Sequence, residues 1–332
     1  VAGNTYSEDC DLTRGYGNKD WWVFRLDSLG QMLWQKRFGS SANDDVYDVA
    51  ATLDGDFWLT GLVGKNGYDV TNFHGIFDVW VLKINAFGEK IFARTWGGSK
   101  DDRGVCIAAA PGGGCLVLAS TESIGGDITE FRGQKDSWLL RFDAQGGLLW
   151  QKIIGGDKTD VPVNFLWLPD STIYLSCLSN SVTHDFDAIA PQTYTFNRPW
   201  IFHFSPQGEV LSKWIGDFDS ELRLVPAPDG GVFGLGIRNR LYLGSNVYVF
   251  YFQNPQELVA LKFRPSLSQE WKNVFQVAEN DLVTAGLPLP GGELAVAGAS
   301  VRNISTFSND STDAYFLTLH PAPPASFSLG ND

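Results

Sequence analysis

Basic residues are scarce in this 332-residue chain: 25 Lys and Arg stand against 38 Asp and Glu, a formal net charge of −13 at pH 7. So acidic a surface repels a phosphate backbone, whose binding needs a basic face, and excludes nucleic acid as a partner. Docking on anionic lipid is disfavoured for the same reason. No apolar run approaches the roughly 18 residues of a membrane-spanning helix, so no span is expected. No charged-then-apolar leader precedes the opening "VAGNTYS", which reads as the middle of a strand and suggests a start inside a longer precursor.

Reactive side chains are equally sparse. The four cysteines fit no C-x-x-C metal spacing. Cys106 and Cys115 flank the turn "PGGG"; pairing Ala110 with Cys115 sets Cys106 opposite Ala119, so a disulfide between them is not expected. Both read as small apolar residues of buried strands. His74, His184, His203 and His320 fall at unrelated places, and neither G-x-S-x-G nor a His-Glu metal motif occurs. Nucleophilic catalysis therefore has little support. Acidic pairs abound, but none stands out as a glycosidase pair.

What the chain has in quantity is aromatics and glycine: 14% aromatic residues, with 12 Trp and 23 Phe, and 36 Gly. β-favouring side chains with frequent turn glycines point to an all-β protein. "DWWVFRLDSLGQMLWQKRFGSSANDD" from Asp20 returns as "DVWVLKINAFGEKIFARTWGGSKDD" at Asp78 and "DSWLLRFDAQGGLLWQKIIGGDKTD" at Asp136, a spacing of 58 residues. Degraded copies open at Arg198, Glu257 and Asp313. Within each copy a bulky residue follows at Trp22, Trp80, Trp138, Trp200, Val259 or Tyr315. A polar one comes next at Arg25, Lys83, Arg141, His203, Lys262 or Thr318, then a turn glycine at Gly30, Gly88, Gly146 or Gly208. Four residues past that position sit Trp34, Phe92, Trp150, Ser212 and Trp271.

A second landmark agrees with the first. Asp44, Asp102, Asp160, Asp219 and Asp281 each lie nine residues before a hairpin turn, and a brief apolar strand follows each turn. Each unit thus carries four short strands and no credible helix. Strands such as "WVLKI" and "WIFHF" are apolar on both faces, as strands sandwiched between two sheets are. Four-stranded blades stacked radially meet that condition, so we expect one β-propeller domain over residues 1–320. Naming the strands A to D outward, six B and six C segments accompany five A and five D segments. That count favours six blades over five or seven. The tail, 321–332, could supply one missing strand through "PASFSL".

In this topology the A–B and C–D turns share one face, and the longer D–A and B–C loops share the other. Long loops on a rigid scaffold are where binding usually resides. The repeated Asp44, Asp102, Asp160, Asp219 and Asp281 are expected to fix blade corners by accepting backbone N–H groups, with a cation ring as the functional alternative. Asp11, Asp69 and Asp127 recur in the B–C loops and form the Ca²⁺-like candidate set, although no D-x-D-x-D-G loop is present. No other cofactor is implied. Two long B–C loops break the pattern. The loop over 179–199 contributes Tyr194 and Phe196, and the loop over 239–256 contributes Tyr242, Tyr248, Phe250 and Tyr251; both are candidate surfaces for a protein or glycan partner.

Written as G-x-x-D-x-W-V-x-K-x-(D/N)-x-x-G-x-x-x-W-x-K-x-x-G-G-S-x-x-D-D, the repeat resembles those of secreted and surface β-propeller proteins of Bacteroidetes, often cargo of the type nine secretion system. The match is strongest over Asp20 to Pro169. It implies an extracellular or outer-surface location, a cleaved leader and a part in a larger envelope complex; it implies no single activity. The G-x-x-x-W of strand D is also similar to the tryptophan-docking repeat of quinone-dependent dehydrogenases, which carry more blades and vicinal cysteines. The expectation is a non-catalytic binding or assembly module acting through its long-loop face. The alternative is a surface hydrolase, lyase or quinone-dependent enzyme using acids of that face.

Overall fold

The computed structural model describes residues 1–7, 15–187, 197–239, 256–277, 281–288, 294–301 and 312–319. Among the described residues, 22 strands form six antiparallel sheets in chain order. The first holds β1 (Ala2–Thr5), β2 (Asp20–Leu26) and β3 (Met32–Phe38). Then come β4 to β7 (Asp45–Ala51, Phe57–Val63, Asp78–Ile84, Lys90–Trp96) and β8 to β11 (Asp102–Ala109, Cys115–Thr121, Asp136–Phe142, Leu148–Ile154). The fourth sheet is β12 to β15 (Asp160–Trp167, Ile173–Ser179, Arg198–Phe204, Val210–Ile215). The fifth is β16 to β19 (Arg223–Pro226, Val232–Asn239, Gln256–Phe263, Gln269–Val277). The last is β20 to β22 (Asp281–Pro288, Leu294–Val301, Thr312–Leu319). This is the propeller that the repeat predicts, with inner A strands β4, β8, β12, β16 and β20.

Burial explains the sequence pattern. Strands β6 and β9 are buried at every position, because each faces a neighbouring sheet on both sides. Trp58, Trp96 and Val79 of the second blade pack with Trp138, Leu140 and Phe142 of the third, while Trp21 of the first meets Trp80 of the second at a ring separation of 4.6 Å. The strand-D aromatics have a different job. Trp34 lies under Gly88 and Trp150 under Gly208, each the C–D turn glycine of the next blade. Those glycines have φ of 77° and 82°, so both the left-handed backbone and the ring beneath exclude a side chain. Arg25 and Trp34 both donate to the Ala86 carbonyl of the adjoining turn, at 2.8 and 2.9 Å. Each blade is thus clamped to the next at its outer edge.

The inner strands are joined by another device. A β-bulge recurs between Val46 and Asp48, Gly104 and Cys106, and Pro162 and Asn164. The residue after each bulge reaches the following A strand. Asp48 accepts the Ile107 amide at 2.9 Å and Asn164 accepts the Leu224 amide at 2.9 Å. Bulges re-aim side chains in this way. The hairpin turn corrects the sequence-based register: it closes on Ala110 and Gly114, so Cys115 pairs with Ala109 and Cys106 with Leu118, one residue away from the expected partners. The two thiols remain apart, and Cys106, Cys115 and Cys177 are free.

Close approach of inner strands explains one further glycine. A methyl on Gly61 would lie 1.9 Å from the Asp45 carbonyl oxygen and 2.9 Å from the Trp21 ring. Gly61→Ala is expected to lower stability by about 1–3 kcal/mol through this overpacking, read as the shift of a urea midpoint. An unchanged midpoint would mean that β4 has slack to move.

Candidate binding face and its aspartate clusters

The D–A and B–C loops meet at each blade junction and are zipped together by their backbones. Asp44 donates its amide to Lys19 O, Asp102 to Phe77 O and Asp160 to Lys135 O, at 2.9, 2.8 and 2.7 Å. The zipper draws three aspartates together at each junction: the first residue of strand C, the residue that opens strand A of the next blade, and one from the following B–C loop. They are Asp20, Asp44 and Asp69; Asp78, Asp102 and Asp127; and Asp136, Asp160 and Asp185. A glycine sits among them. A Cβ on Gly97 would lie 2.7 Å from Asp78 Oδ1 and 2.8 Å from Asp102 Oδ2, and one on Gly39 would lie 2.7 Å from both Asp20 Oδ1 and Asp44 Oδ2.

Each class of aspartate has its own partners. The strand-A carboxylates accept amides and hydroxyls, although Asp102 Oδ1 is buried without a partner. Asp44 takes the Ser40 hydroxyl at 2.9 Å and the Gly64 amide at 3.0 Å. Asp102 takes the Gly98 amide at 2.8 Å and the Ser123 hydroxyl at 2.7 Å. Asp160 takes the Gly156 amide at 2.7 Å, the Ser181 hydroxyl at 3.2 Å and the Ser179 hydroxyl. Each of the three thus accepts an amide of its own D–A loop, the kind of bond by which an aspartate orders a loop corner. Asp219 stands apart: the fifth inner strand begins only at Arg223, four residues later, and burial pushes the Asp219 carboxyl up. Asp281 opens β20, in backbone register with Ser300.

The B–C loop aspartates clasp the preceding D–A loop. Asp69 accepts the Gly39 amide at 3.4 Å and Asp127 the Gly97 amide at 3.3 Å. Asp69 also pairs with Lys90 at 2.7 Å, and Asp127 with Arg94 at 3.0 Å. These two candidates for Ca²⁺ therefore sit on separate junctions with cationic and amide partners, and among the described residues no group of three His, Cys, Asp or Glu is suited to a metal. Asp11 lies outside the described residues. The sequence reading passed over Asp185, which accepts the Gly155 amide at 3.1 Å and so fills the fourth copy of this role. The 58-residue period reaches it directly from Asp127, and the next residue is apolar and buried in each copy: Val70, Ile128, Phe186. Counting back from strand C misses it because the fourth B–C loop is longer.

Trp80 and Trp138 are fully buried wedges between blades, whereas Trp22 of the first blade is half-buried. The thiols are not reactive: burial pushes Cys106 up to about 12 and raises Cys115 and Cys177 further. His203 stacks on Tyr174 with ring centroids 4.3 Å apart, and burial lowers its pKa, so it serves as a neutral packing residue. Tyr194, Phe196, Tyr242, Tyr248, Phe250 and Tyr251 lie outside the described residues. The second long loop springs from the paired ends Asn239 and Gln256 of β17 and β18.

At the junction of the third and fourth blades the loop face dips into an open depression of about 380 Å³, lined by Gln134, Lys158, Thr159, Asn180 and Asn197. Lys158 repeats Lys100 at the 58-residue spacing, whereas the identities of Thr159, Asn180 and Asn197 do not recur at it, so periodicity alone does not flag the depression. Thr159 donates to Gln134 Oε1 at 3.2 Å, which orders one wall. The Asp136–Asp160–Asp185 cluster belongs to the same junction, and Ser179 and Ser181, on either side of Asn180, both donate to Asp160.

No protein-family model and no curated protein matches this chain. Among solved structures it is similar to a protein of unknown function from Bacteroides caccae, at 11% identity and a TM-score of 0.44, over 89% of this chain and 81% of that one. It is also similar to the hydrazine synthase of Kuenenia stuttgartiensis, at 12% identity and a TM-score of 0.48, over 85% and 73%. A Synechocystis apocarotenoid oxygenase mutant aligns at 12% identity and a TM-score of 0.43, over 90% and 69%. Likeness at this distance carries no argument about activity.

Proposed function

We propose that this chain is a non-catalytic binding module that captures a polar, hydroxyl-rich ligand such as a glycan on its long-loop face. The observation that carries the reading is the depression, whose lining offers amide, hydroxyl and ammonium groups and no buried apolar wall. Side-chain amides present a donor and an acceptor side by side, which suits neighbouring sugar hydroxyls. Lys158 adds one positive charge to an otherwise acidic protein, which extends the range to carboxylated sugars. The extracellular or outer-surface location, and the kinship with Bacteroidetes surface propellers, rest on the resemblance of the repeat.

An acid–base enzyme on the same face is less well supported. It would require carboxyl groups with raised pKa in reach of substrate. Asp78 and Asp136 are pushed up to about 6 and about 7 by burial, but their side chains lie beneath the loop backbone with no exposed surface. They cannot reach a glycosidic oxygen.

Binding of the wild type to an array of neutral and uronic-acid-bearing oligosaccharides tests the reading. For a glycan it retains, Asn180→Ala combined with Asn197→Ala is expected to weaken binding at least about tenfold without changing the melting temperature. Retention of no oligosaccharide, or equal binding by the variant, would end it.

A further inference from the structure

The aspartate cluster at the junction of the third and fourth blades contains a carboxylate oxygen that no donor satisfies. Asp136 and Asp160 are both buried, and a Cβ on Gly155 would stand 2.0 Å from Asp136 Oδ1. Their hydrogen bonds are unequal. Asp160 accepts one amide and two hydroxyls. Asp136 accepts the Arg132 amide on Oδ2 at 2.8 Å, while its Oδ1 is buried without a partner. An ionised oxygen in that position is costly, and a carboxyl that binds a proton there is not.

We propose that Asp136 and Asp160 hold a single negative charge near neutral pH, with a proton kept on Asp136, and that losing this proton loosens the loops around the depression. Donor counting assigns the proton: the aspartate rich in donors stays ionised, and the one with an orphan oxygen does not.

The charged groups that face Asp136 agree with this. On its own loop Arg132 is the nearest cation, but its guanidinium is engaged by Asp185 and Glu130. Lys135 is paired with Glu122 at 2.9 Å. Asp160 from β12 and Asp185 from the loop after β13 both raise the Asp136 pKa, and desolvation raises it most. Asp157 on the D–A loop acts on Asp160 in the same sense.

The other junctions vary the motif: Asp20 Oδ1 and Asp102 Oδ1 are also buried without a partner, and the strand-C carboxyls differ in the cation beside them. Asp20 has Arg37 at 3.6 Å, Asp78 has only the His74 ring at 3.3 Å, and Asp136 has no cation on its own carboxyl. Both Asp78 and Asp136 are raised, to about 6 and about 7, chiefly by desolvation. The proton does not depend on a ligand. Only its consequence for capture rests on the function proposed above.

The experiment uses the ligand-free protein. With aspartate side-chain carboxyls labelled by ¹³C, an NMR titration is expected to show a carboxyl that ionises near neutral pH and vanishes in Asp136→Asn. The melting temperature of the wild type is expected to fall between pH 5 and pH 8, and the variant to lose roughly half of that fall, Asp78 accounting for the rest. Ionisation of every aspartate below pH 5, or an equal fall in the variant, would overturn the proposal. So would Ca²⁺ raising the wild-type melting temperature at pH 8 and not that of the variant, since a cation would then hold the pair. The wild-type titration stands even where the variant fails to fold. A sugar-binding defect with an intact titration would count against the function alone.

Discussion

Trp80→Ala is expected to cost about 3–5 kcal/mol of stability, the range for truncating a fully buried large aromatic. The indole has no exposed surface and packs on Trp21 of the preceding blade at 4.6 Å. It belongs to a cluster with Leu59, Leu82 and Ile84 that joins the first blade to the second. Removing it opens a cavity that two sheets must collapse to fill, and their clamped outer turns restrict that collapse. Trp22→Ala at the same repeat position is the internal control. Trp22 is half-buried, and its Nε1 donates to Gln35 Oε1 of its own sheet, so the expected loss is under about 2 kcal/mol. Equal losses in urea titrations would mean that the tryptophan serves the strand and not the wedge between blades.

Asp160→Ala is expected to cost a similar about 3–5 kcal/mol, for an electrostatic reason. The carboxylate is the acceptor for the Gly156 amide and for the Ser179 and Ser181 hydroxyls, all buried. Its removal leaves three donors without a partner, each costing about 1–3 kcal/mol. Part of this is returned, because Asp136 loses a like charge. The variant therefore carries a second signature. A carboxyl whose folded pKa is raised contributes stability that is fully present below its unfolded pKa and lost as pH rises through the folded value. For Asp136 that window ends at about 7 and for Asp78 at about 6. Without Asp160 the Asp136 pKa falls, so the decline in melting temperature between pH 5 and pH 8 is expected to become shallower while the whole curve drops. A curve that drops without changing shape would show that the two carboxyls do not interact.

Several of these features were legible in the repeat. Asp44, Asp102 and Asp160 were read as corner-fixing carboxylates from their fixed distance to a hairpin turn, and each accepts the amide four residues upstream. Asp69 and Asp127 were legible, with Asp11, as a recurring set but not as clasps, because the amides that Asp69 and Asp127 accept belong to loops 30 residues back. The lining of the depression left no trace as a set in the sequence. Gln134, Lys158, Asn180 and Asn197 belong to three separate loops and share no periodic position. The one-residue error in the Cys106 register came from the turn, which closes on Ala110 and Gly114 rather than on Ala110 and Cys115; a hydrophobic pattern does not reveal such a slip when both faces of the strand are buried.

The chain's own letters determined the all-β class, the blade as its unit, the order of strands within it, and the positions that wedge one blade against the next. Those depend on relations at constant spacing, so a period of 58 residues carries them in plain view. Only the tertiary structure decided which carboxylates would confront one another and which oxygen among them would lack a donor. Electrostatic energy depends on separations of a few ångströms and on access to water, and both arise when distant loops are pressed together.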